Sequence, residues 1–423
     1  MKIEPAGSVR GTFTLPGDKS ISHRAAILGA MAEGETRIGN FSEAADCAST
    51  LGCLRGLGVS VERDGARVTI RGGLDGWRAP ATVLDAGNSG STIRMLAGPL
   101  AGRPFCATLM GDESLSRRPL ERVAAPLRAM GAQLATTDGH APLTITGGAL
   151  RGMTHELPVA SAQVKTALLL AGLSAAGRTT VREPMPSRDH TERMLPAFGA
   201  RVVRDGLAAS VDGGQRLRGT SVDVPGDASS AAFLVVAALV LPDSEVRLEG
   251  VLLSPTRTAF LEVLRVMGGR VDARLERTEP EPVGTIVASS SALVGTRIDP
   301  ALVPSLIDEV PALAVAGAFA SGRLEVTGAG ELRHKETDRI AALTRGLTAL
   351  GARVEERPDG LVVEGGAPLR GAQVDSEDDH RIAMALSIAA LGARGASEVA
   401  RGECVAVSFP SFYEVLGRAT GRG

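Results

Sequence analysis

The chain has 423 residues, 44% of them hydrophobic and 22% charged, enough to bury two or more domain cores and too apolar for a disordered polymer. A formal net charge of −2 and an aromatic content of 3% argue against a nucleic-acid partner and against general attraction to an anionic membrane. No apolar run reaches the length of a membrane span and the N-terminal MKIEPAG lacks the apolar core of a signal peptide, so a cytoplasmic protein is expected.

Two kinds of phrase alternate along the chain at intervals of about 70 residues. An N-terminal strand ends at Pro16-Gly17 and gives way to PGDKSISHR, with Lys19, Ser20 and Arg24 at the start of an apolar helix running to Met31. The first turn of a helix has unsatisfied N–H groups and the positive end of the dipole, so these residues make an anion site. LRGLGVSV follows: an amphipathic helix closed by Gly58, then a strand of period two.

The same pair of phrases recurs. Asn88 to Arg94 (NSGSTIR) opens a second apolar helix, and LRAMGAQL closes at Gly131. Ser161-Ala162-Gln163 opens a third, and LPAFGARV closes at Gly199. Val224-Pro225-Gly226-Asp227 then echoes Leu15 to Asp18 and leads into DASSAAF, with LRVMGGRV closing at Gly268. Asp308-Glu309 precede the apolar VPALAVAGAFA, with LTALGARV closing at Gly351. Asp379-His380-Arg381 open the last apolar helix, and a truncated YEVLGRA is expected to end at Gly417.

Helices apolar on nearly every side must be buried, and their polar residues sit only at their N-termini. The pattern is an α/β chain of six βαβαββ units, three to a domain. If the N-terminal strand belongs with the second half, the Pro-Gly echoes are crossovers between domains, one of residues 1–17 plus 227–423 and the other of residues 18–226. Six helix starts pointing at one interdomain cleft would suit a small, highly charged anion. Ser, Asn and Asp at helix starts also serve as plain N-caps.

Three charged phrases lie outside those helices: Ser116-Arg117-Arg118-Pro119, Ser187-Arg188-Asp189-His190 and His334-Lys335-Glu336-Thr337-Asp338-Arg339. The last is read as a helix start with Lys335 and Arg339 on one face. Only four of the 46 basic residues are lysines (Lys2, Lys19, Lys165 and Lys335), so a retained lysine is a candidate for a role that arginine cannot fill. The four cysteines, Cys47, Cys53, Cys106 and Cys404, lack CxxC spacing and are read as small core residues. The chain has neither GxxxxGK[ST], nor GxGxxG after a strand, nor HExxH, so no metal and no organic cofactor are expected.

The phrases PGDKSISHR, GNSGSTIR, SRRP, SAQVKTALLLAGL, SRDHTE, GDASSAAF, IDEVPALAVAGAFA, HKETDR and DDHRIAM resemble, in order, the motifs of the 5-enolpyruvylshikimate-3-phosphate synthases. The resemblance implies the two-domain enolpyruvyl transferase fold and transfer of the enolpyruvyl group of phosphoenolpyruvate to the 5-hydroxyl of shikimate 3-phosphate, in aromatic amino-acid biosynthesis. It implies small-molecule substrates; a monomer is expected. On that resemblance Lys19, Ser20, Arg24, Ser161, Ala162, Gln163, Arg188, Asp308 and Lys335 would hold shikimate 3-phosphate. Lys19, Gly90, Arg118, Gln163, Arg339 and Arg381 would hold phosphoenolpyruvate. Asp308, Glu336 and Lys19 are the catalytic candidates, with Asn88, Ser91, Ser187 and His380 in support.

Two positions depart from the pattern of many members: Val407 stands where they carry a lysine, and Ala162 where they carry a serine. Gly90 leaves the space that glyphosate needs in sensitive members, and inhibition by glyphosate is expected. The sister transferases acting on UDP-N-acetylglucosamine are an alternative, although the loop GDESLSRRP lacks their reactive cysteine. A non-catalytic anion-binding scaffold is a further one.

Overall fold

A helix with apolar side chains all round is stable only when surrounded, and six such helices organise the chain. In the computed structural model, which describes residues 1–422, they span Lys19–Met31, Gly90–Ala101, Ala162–Gly172, Ala228–Val240, Val310–Phe319 and His380–Leu391. All residues from Ile21 to Met31 are buried, as are all twelve from His380 to Leu391. No single helix among the described residues is long and apolar enough to cross a membrane.

The chain divides into two units: Gly17–Val224 with Glu279–Glu281, and Met1–Pro16 with Pro225–Thr278 and Pro282–Gly423. The first unit has three four-stranded sheets of one topology. In the sheet Ser221–Asp223, Gly34–Gly39, Arg67–Gly72, Ser60–Asp64, the first pair is parallel and the others antiparallel. The sheets beginning at Leu84–Asp85 and Thr154–Glu156 repeat that order.

In the other unit, Arg10–Thr14 pairs parallel with Glu245–Leu252 and completes a fourth sheet of this kind. The remaining two sheets are three-stranded. In one, the leading strand is reduced to isolated parallel bridges such as Arg297 to Glu325. In the other, no final hairpin is present among the described residues, and Lys2–Ile3 pairs antiparallel with Ser397–Ala400.

The two strands before the Pro-Gly turns are therefore exchanged in sequence: Arg10–Thr14 precedes the Lys19 helix but pairs with the strand after the Ala228 helix. Ser221–Asp223 precedes the Ala228 helix and pairs with the strand after the Lys19 helix.

Small residues set how closely the buried helices approach. A Cβ on Gly98 would lie 2.1 Å from the carbonyl oxygen of Ala167, so only glycine permits this crossing of the Gly90 and Ala162 helices. The amphipathic helices close as expected in five cases: Gly58, Gly131, Gly199, Gly268 and Gly351 have φ between 83° and 114°, the left-handed C′ position.

The sixth case differs. Gly417 lies inside the helix Phe412–Ala419, and the left-handed residue is Gly421. Phe412 anchors this helix against Phe233 and Phe409, with ring centroids 6.4 and 5.7 Å apart. The cysteines are all free, but Cys106 is exposed, being an outward residue at the start of the strand Cys106–Met110, and Cys404 is only partly buried.

Candidate active site

In the Gly17–Val224 unit the site candidates come from three helix starts and from the segments that carry Arg118 and Arg188. Asp18 caps the Lys19 helix, accepting from the Ile21 N–H at 2.9 Å, and leaves the next two side chains outside the core. Lys19 Nζ donates to Asp46 Oδ2 at 2.8 Å, and Ser20 Oγ accepts from Arg188 Nη1 at 3.2 Å. Arg24, on the next turn, is buried and donates to Thr191 Oγ1 at 2.9 Å, Thr166 Oγ1 at 3.0 Å and the Ser20 carbonyl at 2.8 Å. Burial pushes its guanidinium down to about 10, with Arg188 adding to the effect and Glu192 opposing it, so Arg24 stays charged at neutral pH.

Between these cations His23 is fully buried, its Nδ1 2.7 Å from Thr50 Oγ1. Burial, then Lys19 and Arg24, push its imidazole well below the ordinary value, which keeps it neutral. Thr50 Oγ1 continues to Thr92 Oγ1 at 2.7 Å, and Thr92 to Ser89 Oγ at 2.7 Å, so hydroxyls link His23 to the cap of the Gly90 helix.

At the Gly90 helix start, Asn88 Oδ1 accepts from Arg118 Nη2 at 2.8 Å, while Asn88 Nδ2 donates to Asp112 Oδ2 at 2.7 Å. Gln163, at the start of the Ala162 helix, donates to Ser91 Oγ at 3.0 Å and accepts from Arg94 Nη1 at 3.1 Å. Ser161 caps that helix, Ala162 is its first residue, and the Ala162 carbonyl accepts from Arg24 Nη2 at 3.4 Å. Gly90 lies beside both arginines: a Cβ there would sit 2.5 Å from Arg94 Nη1 and 3.4 Å from Arg118 Nη1.

The other unit carries the acids. Asp308 Oδ1 accepts from Lys335 Nζ at 3.3 Å and Arg339 Nη1 at 3.2 Å, and the Asp308 carbonyl accepts from Arg381 Nη1 at 3.1 Å. Arg339 is only 1% exposed, and its other nitrogens reach Glu336 Oε2 at 2.5 Å and Asp379 Oδ2 at 2.7 Å. One guanidinium thus holds three carboxylates. Burial alone would lower its pKa, but Asp379, Glu336 and Asp308 outweigh burial and raise it. Asp379 caps the last apolar helix through the Arg381 N–H at 2.9 Å, with His380 buried at the first helical position. Val407 is half-buried in the turn Gly402–Val407.

The expected helical face shared by Lys335 and Arg339 does not exist. Lys335 is in extended conformation after the turn Gly330–His334, and the helix starts only at Arg339, because Asp338 caps it. The two cations meet instead on Asp308, from different backbone geometries.

Arg94 belongs to the expected phrase Asn88 to Arg94 but had been given no role of its own, and Asp46 was not singled out. Arg94 had a visible signal, since it stands one turn after Gly90 on the same helix face. Asp46 had none beyond an acid in the first turn of the helix Ala45–Gly56.

Six sheets, four of them of one four-stranded topology and two three-stranded variants of it, together with six buried helices, define an enolpyruvyl transferase fold. An enolpyruvyl transferase from Streptomyces tendae, NikO, shares it with a TM-score of 0.79 at 20% identity over 99% of this chain and 96% of that one.

The model of EPSP synthase (3-phosphoshikimate 1-carboxyvinyltransferase) matches residues 3–416, and the chain belongs to that family. A 3-phosphoshikimate 1-carboxyvinyltransferase of Acidithiobacillus ferrooxidans is 53% identical over 97% of this chain and 95% of its own length. One from Brevibacillus brevis is 48% identical over 98% and 99%. The structure of EPSP synthase from Acinetobacter baumannii has a TM-score of 0.88 at 45% identity, covering 99% of this chain and 97% of that one.

Proposed function

We propose that this chain transfers the enolpyruvyl group of phosphoenolpyruvate to the 5-hydroxyl of shikimate 3-phosphate and releases phosphate. The observation that carries the reading is the pairing of two acids, Asp308 and Glu336, on the single buried guanidinium of Arg339. Cation-rich helix starts in the other unit supply the anion binding that two phosphorylated carboxylates require.

In this reading Lys19, Ser20, Arg24, Ser161, Gln163 and Arg188 bind shikimate 3-phosphate, and Lys335 and Asp308 meet its hydroxyls. Arg118, Gly90, Gln163, Arg381 and Arg339 serve phosphoenolpyruvate, and Lys19 serves both ligands as a point charge. Asp308 takes the proton of the 5-hydroxyl as its oxygen attacks C2 of phosphoenolpyruvate, and Glu336 delivers a proton to the methylene carbon. The tetrahedral adduct then loses a proton from the new methyl group and phosphate from C2, restoring the double bond.

The decisive measurement is phosphate release from phosphoenolpyruvate with and without shikimate 3-phosphate. Release that strictly requires shikimate 3-phosphate is expected; folded protein that releases none with both present would refute the assignment.

A further inference from the structure

Lys165 is one of only four lysines among 46 basic residues, and nothing above uses it. It lies one turn into the Ala162 helix and is 4% exposed. Its Nζ sits 2.6 Å from Glu183 Oε2 and 2.8 Å from Glu192 Oε1, both carboxylates also buried. Burying such a cluster is expensive, and apolar side chains of similar volume are often as stable or more so, so stability is a poor reason to keep it.

The contacts leading away from the cluster point to another reason. Glu183 Oε1 accepts from the Ser161 N–H at 2.9 Å, and Glu183 Oε2 accepts from Ser187 Oγ at 2.9 Å. Ser161 is the cap of the Ala162 helix, and Ser187 immediately precedes Arg188, which donates to Ser20. On the other branch, Glu192 follows Thr191, the hydroxyl that receives Arg24 Nε at 2.9 Å. One ammonium therefore ties together the helix cap, the Arg188 loop and the helix turn that orients Arg24.

We infer that Lys165 is a positioning residue for the shikimate 3-phosphate side of the site, acting through Glu183 on Ser161 and Ser187 and through Glu192 on the turn that holds Arg24. This rests on the function proposed above. A compact ammonium at the end of a flexible stem serves two carboxylates as a point charge, whereas a guanidinium imposes the fixed geometry of a planar fork. Burial opposes the charge on Lys165, but Glu192 and Glu183 outweigh it and raise its pKa, so the ammonium is retained.

The test compares wild type, Lys165→Met, Glu183→Gln and the double variant. Calorimetric binding of shikimate 3-phosphate and the KM for each substrate are measured, with a thermal melt to verify folding. Both single variants are expected to weaken shikimate 3-phosphate binding by roughly 10-fold or more, as displaced positioning groups do. The KM for phosphoenolpyruvate should change less than 3-fold, roughly, a selectivity that a general loss of packing would not produce.

The double variant is expected to be no worse than the poorer single, because both act along one path. Losses that simply multiply would overturn the path through Glu183. Should Lys165→Met fail to fold, Glu183→Gln, which keeps the volume, decides alone: wild-type affinity in that variant overturns the inference. Wild-type protein that binds no shikimate 3-phosphate would instead remove the underlying functional reading, and the inference with it.

Discussion

Replacing Arg339 by leucine tests the carboxylate-holding site most directly. The substitution removes contacts of 3.2, 2.5 and 2.7 Å to Asp308, Glu336 and Asp379 and leaves their carboxylates in a buried setting. Taken singly, each charged hydrogen bond is worth about 1.5–3 kcal/mol. The sum overshoots, because Asp308 keeps Lys335 and Asp379 keeps the N–H groups of Arg381 and Ile382. Breaking a buried charge network by removing one partner typically costs about 3–5 kcal/mol, and about 4 kcal/mol is expected here.

For a domain of this size that lowers the thermal midpoint by roughly 8–16 °C. Thermal melts of both proteins at pH 7.5, alongside phosphate release, would measure this. A midpoint within about 2 °C of wild type at pH 7.5, with turnover intact, would refute the view that Arg339 holds the acid pair.

Lys19→Ala should weaken binding of both substrates, by roughly 10- to 150-fold each if one charged contact is lost per ligand, and lower turnover; near-normal affinity for either would show that Lys19 does not serve it. Gly90→Ala places a Cβ 2.5 Å from Arg94 Nη1, the flexible end of a side chain, so the fold should persist while Arg94 is pushed off Gln163. The KM for phosphoenolpyruvate is expected to rise roughly 10-fold, the worth of one such contact, and an unchanged KM would refute this.

His23 is held well below its unfolded value near 6.5, so the unfolded chain takes up a proton that the folded one refuses. Its stabilising contribution is present above pH 6.5 and is lost as pH falls, by up to about 1.4 kcal/mol per pH unit. Urea midpoints of wild type and His23→Asn at pH 7.5, 6.5 and 5.5 should show a shallower acid slope in the variant; parallel slopes would show that His23 does not titrate as described.

The repeats were legible because their signals are local. Asp18, Ser89, Ser161, Asp227 and Asp379 cap the helices they precede, and the glycines at 58, 131, 199, 268 and 351 end the amphipathic ones. Lys19 and Arg381 were legible for the same reason, since they occupy first turns. Their partners were not. Asp46 meets Lys19 from 27 residues away and Glu183 meets Ser161 from 22, and no spacing rule links such pairs until the sheets are in place. The placement of Lys335 failed on a local competition, in which Asp338 is the stronger cap and moves the helix start past the lysine. Cys106 failed because hydrophobicity says nothing about which side of an edge position faces water.

The stretch from Gly17 to Val224 is almost a closed circuit of chain. Its last strand, Ser221–Asp223, lies beside Gly34–Gly39, Asn40 Nδ2 donates to the Val224 carbonyl at 2.9 Å, and a Cβ on Gly17 would strike the Asn40 carbonyl oxygen. Entry and exit therefore adjoin, as at the base of an inserted module, and a short linker could join them without disturbing a sheet. One debt prevents a clean excision: the buried His190 takes its partner Glu281, 2.9 Å from Nδ1, from the distant segment Glu279–Glu281. A free-standing version of this module would have to supply that carboxylate or replace the histidine.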